Sequence, residues 1–365
     1  MITVPKISIL IPYYNDELFL QESIQSVLNQ SYTDFELVLI NHACTDSSRS
    51  IAHSFNDNRI VHIDLSTNAG AGGGVILDAF LKVAKGTFLK LFCADDIMYE
   101  NYLEKCLAFL KETPSVDFCF SNEGYIDEEG KMLPSDFYTD RTEHIVNSDD
   151  WSFAAITDYY HMVSNLPFSS CFLRKSCFEN IKIDFTIVMM FDMSIFLQML
   201  LNGKNIGFIK EKLISYRIHE GQISSSANKK KCIASSFFEH IVFMRIFFET
   251  ENIQFMQRLL NRTDLSSLEN LRIELAKFWM SLPVVTFQIA AYQWLHDYLQ
   301  DAEHRDDERV AVACFRNLYQ SSELAYRCLE TNEWYNALGI KGIFKIFMKK
   351  CIRKFLPHTK KLSHL

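Results

Sequence analysis

Phe88-Leu89-Lys90-Leu91-Phe92-Cys93-Ala94-Asp95-Asp96 is an apolar strand that runs into two adjacent carboxylates. A short apolar run of this kind reads as a strand buried on both faces of a parallel sheet. Two neighbouring carboxylates at its carboxyl end are costly unless something cationic shares the site. Ligands of open α/β sheets gather at that end of the strands. Hard oxygen donors there suit a Mg²⁺ or Mn²⁺ ion carrying a diphosphate. The same pair also fits a turn that ends a strand and caps a helix.

The residues upstream of the pair set its context. Ile7 to Ile11 is a buried strand ended by Pro12, and Tyr13-Tyr14-Asn15 follows as a loop. Asp16 is placed to cap a helix with Leu20, Ile24, Val27 and Leu28 on one face. Phe35 to Ile40 is a second strand, Asp46 starts a second helix, and Arg59 to Asp64 is a third strand. Gly70 to Gly74 is a glycine-rich turn entering a helix that Gly86 stops. Strand and helix alternate, so the sheet is expected to be largely parallel. Tyr14, the segment around His42 and Asp95-Asp96 then converge at one end of it.

The chain of 365 residues is long enough for one large or two unequal domains. The reading places an α/β domain at 1–226, a helical domain at 227–338 and a basic tail at 339–365. Ten cysteines without a Cys-x-x-Cys pair exclude a zinc ribbon and a dithiol redox motif. No signal peptide is read at the start, so a cytoplasmic setting is expected. The net charge is −8, yet Trp334 to Leu365 carries +8, which leaves −16 on the remainder. An acidic body argues against nucleic-acid binding. The tail sets Ile343, Phe347, Cys351 and Phe355 at helical spacing among lysines, a pattern for an anionic membrane face or for docking on the helical domain. Phe278 to Leu295 is free of charge over eighteen residues, but its polar groups favour a bundle helix over a membrane span.

Six blocks in order resemble the family 2 glycosyltransferases. They are Ser8 to Asn15, Ser23 to Tyr32, Phe35 to Ile40, Ala84-Lys85-Gly86 with its strand to Asp96, Asp192 to Leu197, and Tyr216-Arg217-Ile218-His219 with Ser224. The resemblance covers residues 6–224 and implies the GT-A fold, a Rossmann-like mixed sheet flanked by helices. It implies inverting transfer of a sugar from a nucleotide diphosphate donor, a UDP-sugar first, to a hydroxyl of a glycan or lipid-linked acceptor. Bacterial surface polysaccharide synthesis is the setting it implies, at the inner face of the cytoplasmic membrane. In that scheme Asp96 and His219 hold Mn²⁺ or Mg²⁺, and Asp192 is the general base. Pro12, Tyr14, Asn15, His42, Asp95 and Arg217 line the donor. From the residues alone, Tyr14 also fits a packing aromatic, Asp192 a helix cap, His219 a structural histidine and Arg217 an ordinary ion pair.

Two departures stand out. The second strand of the family usually ends in two carboxylates, where this chain has Asn41-His42. The glycine-rich turn lacks the family's usual arginine and holds about two extra residues. These departures raise a catalytically inactive binding or assembly module as a rival, against which Asp95, Asp96 and Asp192 stand intact. A nucleotidyltransferase would need a basic phosphate loop, and Ile11 to Asp16 has no Lys or Arg. A nicotinamide dehydrogenase fails because Val75 stands where its fingerprint needs glycine. Phe137 to Pro167, rich in Tyr, Asp and His, is the expected acceptor side.

Overall fold

The computed structural model describes residues 5–68, 73–137, 142–160, 166–222, 229–282 and 284–300. The basic tail at 339–365 and residues 69–72 of the glycine-rich turn lie outside the described residues. Two compact units are present, Met1–Glu239 and His240–Leu365.

The first unit begins with β1 (Ile7–Tyr13), α1 (Leu20–Leu28), β2 (Phe35–Asn41), α2 (Ser48–Ser54), β3 (Ile60–Asp64), α3 (Gly73–Val83) and β4 (Phe88–Leu91). It continues through β5 (Ile97–Met98), α4 (Tyr102–Glu112), β6 (Phe118–Ile126), β7 (Met132–Asp136), α5 (Glu143–Val146), α6 (Trp151–Tyr160) and β8 (Cys171–Arg174). It closes with α7 (Phe191–Leu201), β9 (Ile206–Arg217) and the start of α8 (Lys229–Glu249). One sheet runs β3-β2-β1-β4-β8-β6-β9-β5, with β7 on β6. The four leading strands are parallel, β8 is antiparallel to both β4 and β6, and β9 is parallel to β6. The apolar runs read in the sequence are the central strands: β2 is buried at all seven positions, and helices cover the faces. The α/β expectation therefore holds, with an antiparallel strand inserted where the chain crosses from β4 to β6.

Polar residues on these strands have a structural use. Ser8 donates to Glu36 at 2.6 Å, and the same two side chains accept the N–H groups of Gly86 and Lys85 at 2.7 and 2.6 Å. A Cβ on Gly86 would stand 2.5 Å from the Ser8 nitrogen and 2.7 Å from the Ile7 carbonyl carbon. The glycine is needed for close approach to β1, whereas α3 has already ended at Val83. Asp16 also differs from expectation. Its carboxylate accepts the Tyr14 N–H at 2.8 Å, while α1 opens after Phe19 with no side-chain cap.

In the second unit, α9 (Ile253–Leu260), α10 (Leu268–Met280) and α11 (Val285–Gln300) surround a core of aromatic rings. Trp279 is fully buried, edge-on to Phe248 at 4.9 Å and to Phe287 at 5.0 Å. The charge-free stretch from Phe278 to Leu295 is divided between α10 and α11. Among the described residues, no helix is long and apolar enough to cross a membrane.

Candidate active site

The carboxyl ends of β1 and β2 carry two loops that are tied to each other. Asn15 and Ala43 take left-handed conformations (φ 56° and 59°), which turn the chain sharply after each strand. The Asn15 side chain accepts the Thr45 N–H at 2.9 Å and donates to the Thr45 hydroxyl at 3.2 Å. Asp46 accepts the N–H groups of Ser48 and Glu17. His42 is buried, its N–H bonds the Tyr13 carbonyl, and burial lowers its pKa, so the ring is neutral. The exposed ring of Tyr14 meets it edge-on at 6.3 Å. Pro12, at the end of β1, pairs with Ile40 and leads into this loop. Asn41 is fully engaged: it donates to Asp64 at 2.9 Å and accepts the Cys44 N–H at 2.9 Å. Arg49 makes a forked bond to the same Asp64, whose carboxyl it and Asn41 hold at about 2.

The turn after β4 brings in the acidic pair. Asp95 is half-buried, and its Oδ2 lies 3.0 Å from His219 Nε2. Phe19 flanks that imidazole at 4.8 Å. Asp16 lies close enough to feel Asp95, Asp46 and His219, and burial, with the two carboxylates adding to it, lifts its pKa to about 6. Asp96 is sealed from solvent. Its Oδ1 accepts the Arg217 N–H at 2.9 Å, and its Oδ2 has no hydrogen-bond partner among the described residues. Burial first, then Asp95 and Glu123, raise its pKa well above the carboxylate range.

Arg217 is bound into the acidic turn. Its side chain is 2% exposed and each of its three nitrogens donates within the protein. Nε bonds the Asp95 carbonyl at 2.9 Å, Nη1 bonds the carbonyls of Asp127 and Glu128, and Nη2 bonds Glu22 at 2.5 Å. It fastens the acidic turn to the β6–β7 turn and to α1.

A divalent cation fits the residues at this turn. Donor atoms of Cys93, Asp95 and Asp96 lie within 4.8 Å of one another, and His219 adds an imidazole nitrogen beside Asp95. Oxygen and imidazole suit Mg²⁺ or Mn²⁺. The Cys93 thiol suits them less, because burial raises its pKa well above the usual thiol value. Asp95, rather than Asp96, is the carboxylate open to the cleft.

Asp192 sits in the first turn of α7 and accepts the N–H of Met193 at 2.8 Å. Burial raises its pKa to about 6. Its place is set from α3: a Cβ on Gly73 would come within 2.4 Å of the Phe191 ring, so the glycine makes room for the residue preceding Asp192. Gly73, at the end of the glycine-rich run, therefore has a packing role. Asp192 also lies near enough to Tyr159 to raise that phenol's pKa.

The structure thus brings together Tyr14, Asn15, His42, Asp95, Arg217 and His219, with Asp96 beneath them. Asp192 belongs to a separate set of contacts with α3 and α6. Three residues went unread at this site: Asp16 beside the acidic turn, Phe19 against His219, and Ser169, whose Oγ accepts the Cys93 N–H at 3.3 Å. Only Asp16 carried a signal, as an acid directly after the Tyr14-Asn15 loop.

Residues 8–181 match the family model described as Glycosyl transferase family 2. An uncharacterized glycosyltransferase of Methanocaldococcus jannaschii is 24% identical over 260 residues, 67% of this chain and 86% of the relative. The Bacillus subtilis minor teichoic acid biosynthesis protein GgaB is 26% identical over 240 residues, 64% of this chain and 25% of GgaB. The putative teichuronic acid biosynthesis glycosyltransferase TuaG of the same organism is 30% identical over 131 residues, 35% of this chain and 51% of TuaG. The chain thus spans only a quarter to a half of these two relatives. Among solved structures, S. aureus TarS 1–349 superposes with a TM-score of 0.54 at 18% identity, over 88% of this chain and 91% of that one. TarS 1–349 in complex with UDP-GlcNAc gives 0.50 at 18% identity over the same shares. These likenesses show the fold.

Proposed function

This chain belongs to glycosyl transferase family 2, and on that premise we propose that it moves a sugar, with inversion, from a nucleotide diphosphate donor to a hydroxyl of a glycan or lipid-linked acceptor. The pairing of Asp95 with His219 at 3.0 Å, at the carboxyl end of the sheet, carries the reading. We assign Asp95 and His219 as the residues that hold a divalent cation, with Asp96 supporting the turn from below. When bound, the cation supplies positive charge that offsets the leaving diphosphate. Tyr14 and neutral His42 face the nucleobase. Histidine accepts through one ring nitrogen and donates through the other, so the imide edge of uracil can be read without a carboxylate. The TarS complex with UDP-GlcNAc supports a uridine donor as the first to test. Asp192, with a pKa near 6, takes the proton from the acceptor hydroxyl as that oxygen attacks the anomeric carbon. The teichoic and teichuronic acid relatives support a surface polymer as the acceptor. Binding at the inner membrane face belongs to the same proposal.

The test is a panel of UDP- and GDP-sugars, scored for nucleotide release with Mn²⁺, with Mg²⁺ and in EDTA. Metal-dependent release from one donor is the expected result. Release undiminished in EDTA, or from no donor, overturns the assignment.

A further inference from the structure

The helix that carries Asp192 begins without a cap of its own. Met190 stands at the cap position of α7, and its side chain makes no capping bond. The N–H groups at a helix start need acceptors from elsewhere. Glu239, in the part of α8 that belongs to the first unit, supplies one. A single carboxylate oxygen, Oε2, accepts the Met189 N–H at 2.6 Å and the Met190 N–H at 3.0 Å. Glu239 is 5% exposed, and acidic side chains are almost never buried without such partners. An acidic group at this end also complements the dipole of α7.

The segment leading into α7 is tied at its other end as well. The Gln198 side chain, on α7 itself, accepts the Lys182 N–H at 2.9 Å and donates to the Lys182 carbonyl at 3.0 Å. A Cβ on Gly74 would lie 3.2 Å from the side chains of Ile183 and Phe185, so α3 packs against the same segment. The two bonds from Glu239 then hold the chain directly before Phe191 and Asp192. Asp192 lies in the first turn, with Phe191 and Met193 buried on either side of it in the sequence. Helix ends fray, and the first turn is the part that an unheld start loses. Each residue turns an α-helix by about 100°, so a start moved by one residue re-aims the Asp192 carboxylate by that angle.

We propose that Glu239 is a positioning residue for sugar transfer: its carboxylate holds the entry of α7 and thereby sets the direction of Asp192. This rests on the reading of Asp192 as the base given above. The role requires reach, because one oxygen must meet two N–H groups. Glutamine keeps an acceptor oxygen at the same length. Aspartate keeps the charge but is one methylene short.

The experiment measures nucleotide release by the full chain with Mn²⁺, from the donor that scores in the panel of UDP- and GDP-sugars, with thermal melting alongside. Water takes the place of the acceptor hydroxyl, and Asp192 takes its proton. Glu239→Ala should lower kcat about thirtyfold and leave donor KM within about twofold. Glu239→Gln should stay within about threefold of the parent, whereas Glu239→Asp should lose about tenfold. In an Asp192→Asn background, Glu239→Ala should cost less than about threefold, because the group it directs is already absent. A full thirtyfold loss in that background overturns the proposal, as does a rise in donor KM that accounts for the loss in the single variant. If Glu239→Ala does not fold, the other two variants decide: Glu239→Asp at least as active as Glu239→Gln overturns it. Undiminished turnover in Asp192→Asn removes the base reading and this proposal together. Loss in Asp192→Asn with none in Glu239→Ala removes this proposal alone.

Discussion

Asp192→Asn should cost activity and gain stability at once. The burial that raises the pKa of Asp192 to about 6 penalises its ionised form in the fold. The displacement from 3.8 to about 6 corresponds to at most about 3 kcal/mol at neutral pH, and water reaching a half-buried carboxylate brings this to about 1–2 kcal/mol. The folded-state pKa is raised, so the folded form takes up a proton more readily than the unfolded one. The penalty is full above pH 6, is relieved as pH falls through 6, and is gone below 3.8. The neutral amide carries no such penalty, and Asp192→Asn should melt about 2–6 °C higher at pH 7.5. Turnover should fall about 10²–10⁴-fold with donor affinity nearly unchanged. The parent kcat/KM should drop about tenfold between pH 7.5 and pH 5, because only about a tenth of a group with pKa 6 is ionised at pH 5. Asp16 has a similar pKa, so Asp16→Asn is the control and should keep the acid limb. The assay is initial-rate transfer across pH with calorimetric melting of each variant. An acid limb that persists in the residual activity of Asp192→Asn, or a lower melting temperature, refutes the reasoning.

Asp95→Asn should abolish metal-dependent nucleotide binding, while Asp96→Asn, which keeps an acceptor for the Arg217 N–H, should retain the fold; titration calorimetry with Mn²⁺ and UDP distinguishes them, and equal losses would return the ligand role to Asp96. His42→Asp restores the carboxylate usual in the family and should shift the preference between UDP and GDP by about tenfold or more, about 1.4 kcal/mol, so unchanged ratios place His42 outside the base pocket. Gly73→Ala places a Cβ against Phe191 and should cost about 1–3 kcal/mol of stability with reduced turnover, read by denaturant unfolding and initial rates.

The parallel half of the sheet was legible because its signals are local. Each of β1, β2 and β4 is a short, mostly apolar run, and the loops after them follow within a few residues. Tyr14, His42 and Asp95 could be placed at one end of the sheet on that basis alone. What stayed unread was non-local. Nothing near Arg217 in the sequence shows that it bonds backbone carbonyls 89, 90 and 122 residues away and the Glu22 carboxylate 195 residues away. Lys90 sits in an apolar run, yet nothing nearby in the sequence says that its ammonium meets Ser169. Gly86 resembled a helix stop because its close neighbours, Ile7 and Ser8, lie almost eighty residues earlier. Antiparallel β8 escaped for the same reason, since its partners β4 and β6 precede it by long connections.

The Arg217 clasp also fixes an order of assembly. The contacts that fasten the acidic turn span 121 residues to Asp96, 122 to the Asp95 carbonyl and 195 to Glu22, and His219 reaches Asp95 across 124. Contacts of such separation form late, because the loop they close must be ordered first. During synthesis the β3-β2-β1-β4 layer can pair as soon as residue 91 is free, whereas the acidic turn waits for β9. A chain cut short of Arg217 and His219 therefore lacks every one of these contacts to the acidic turn.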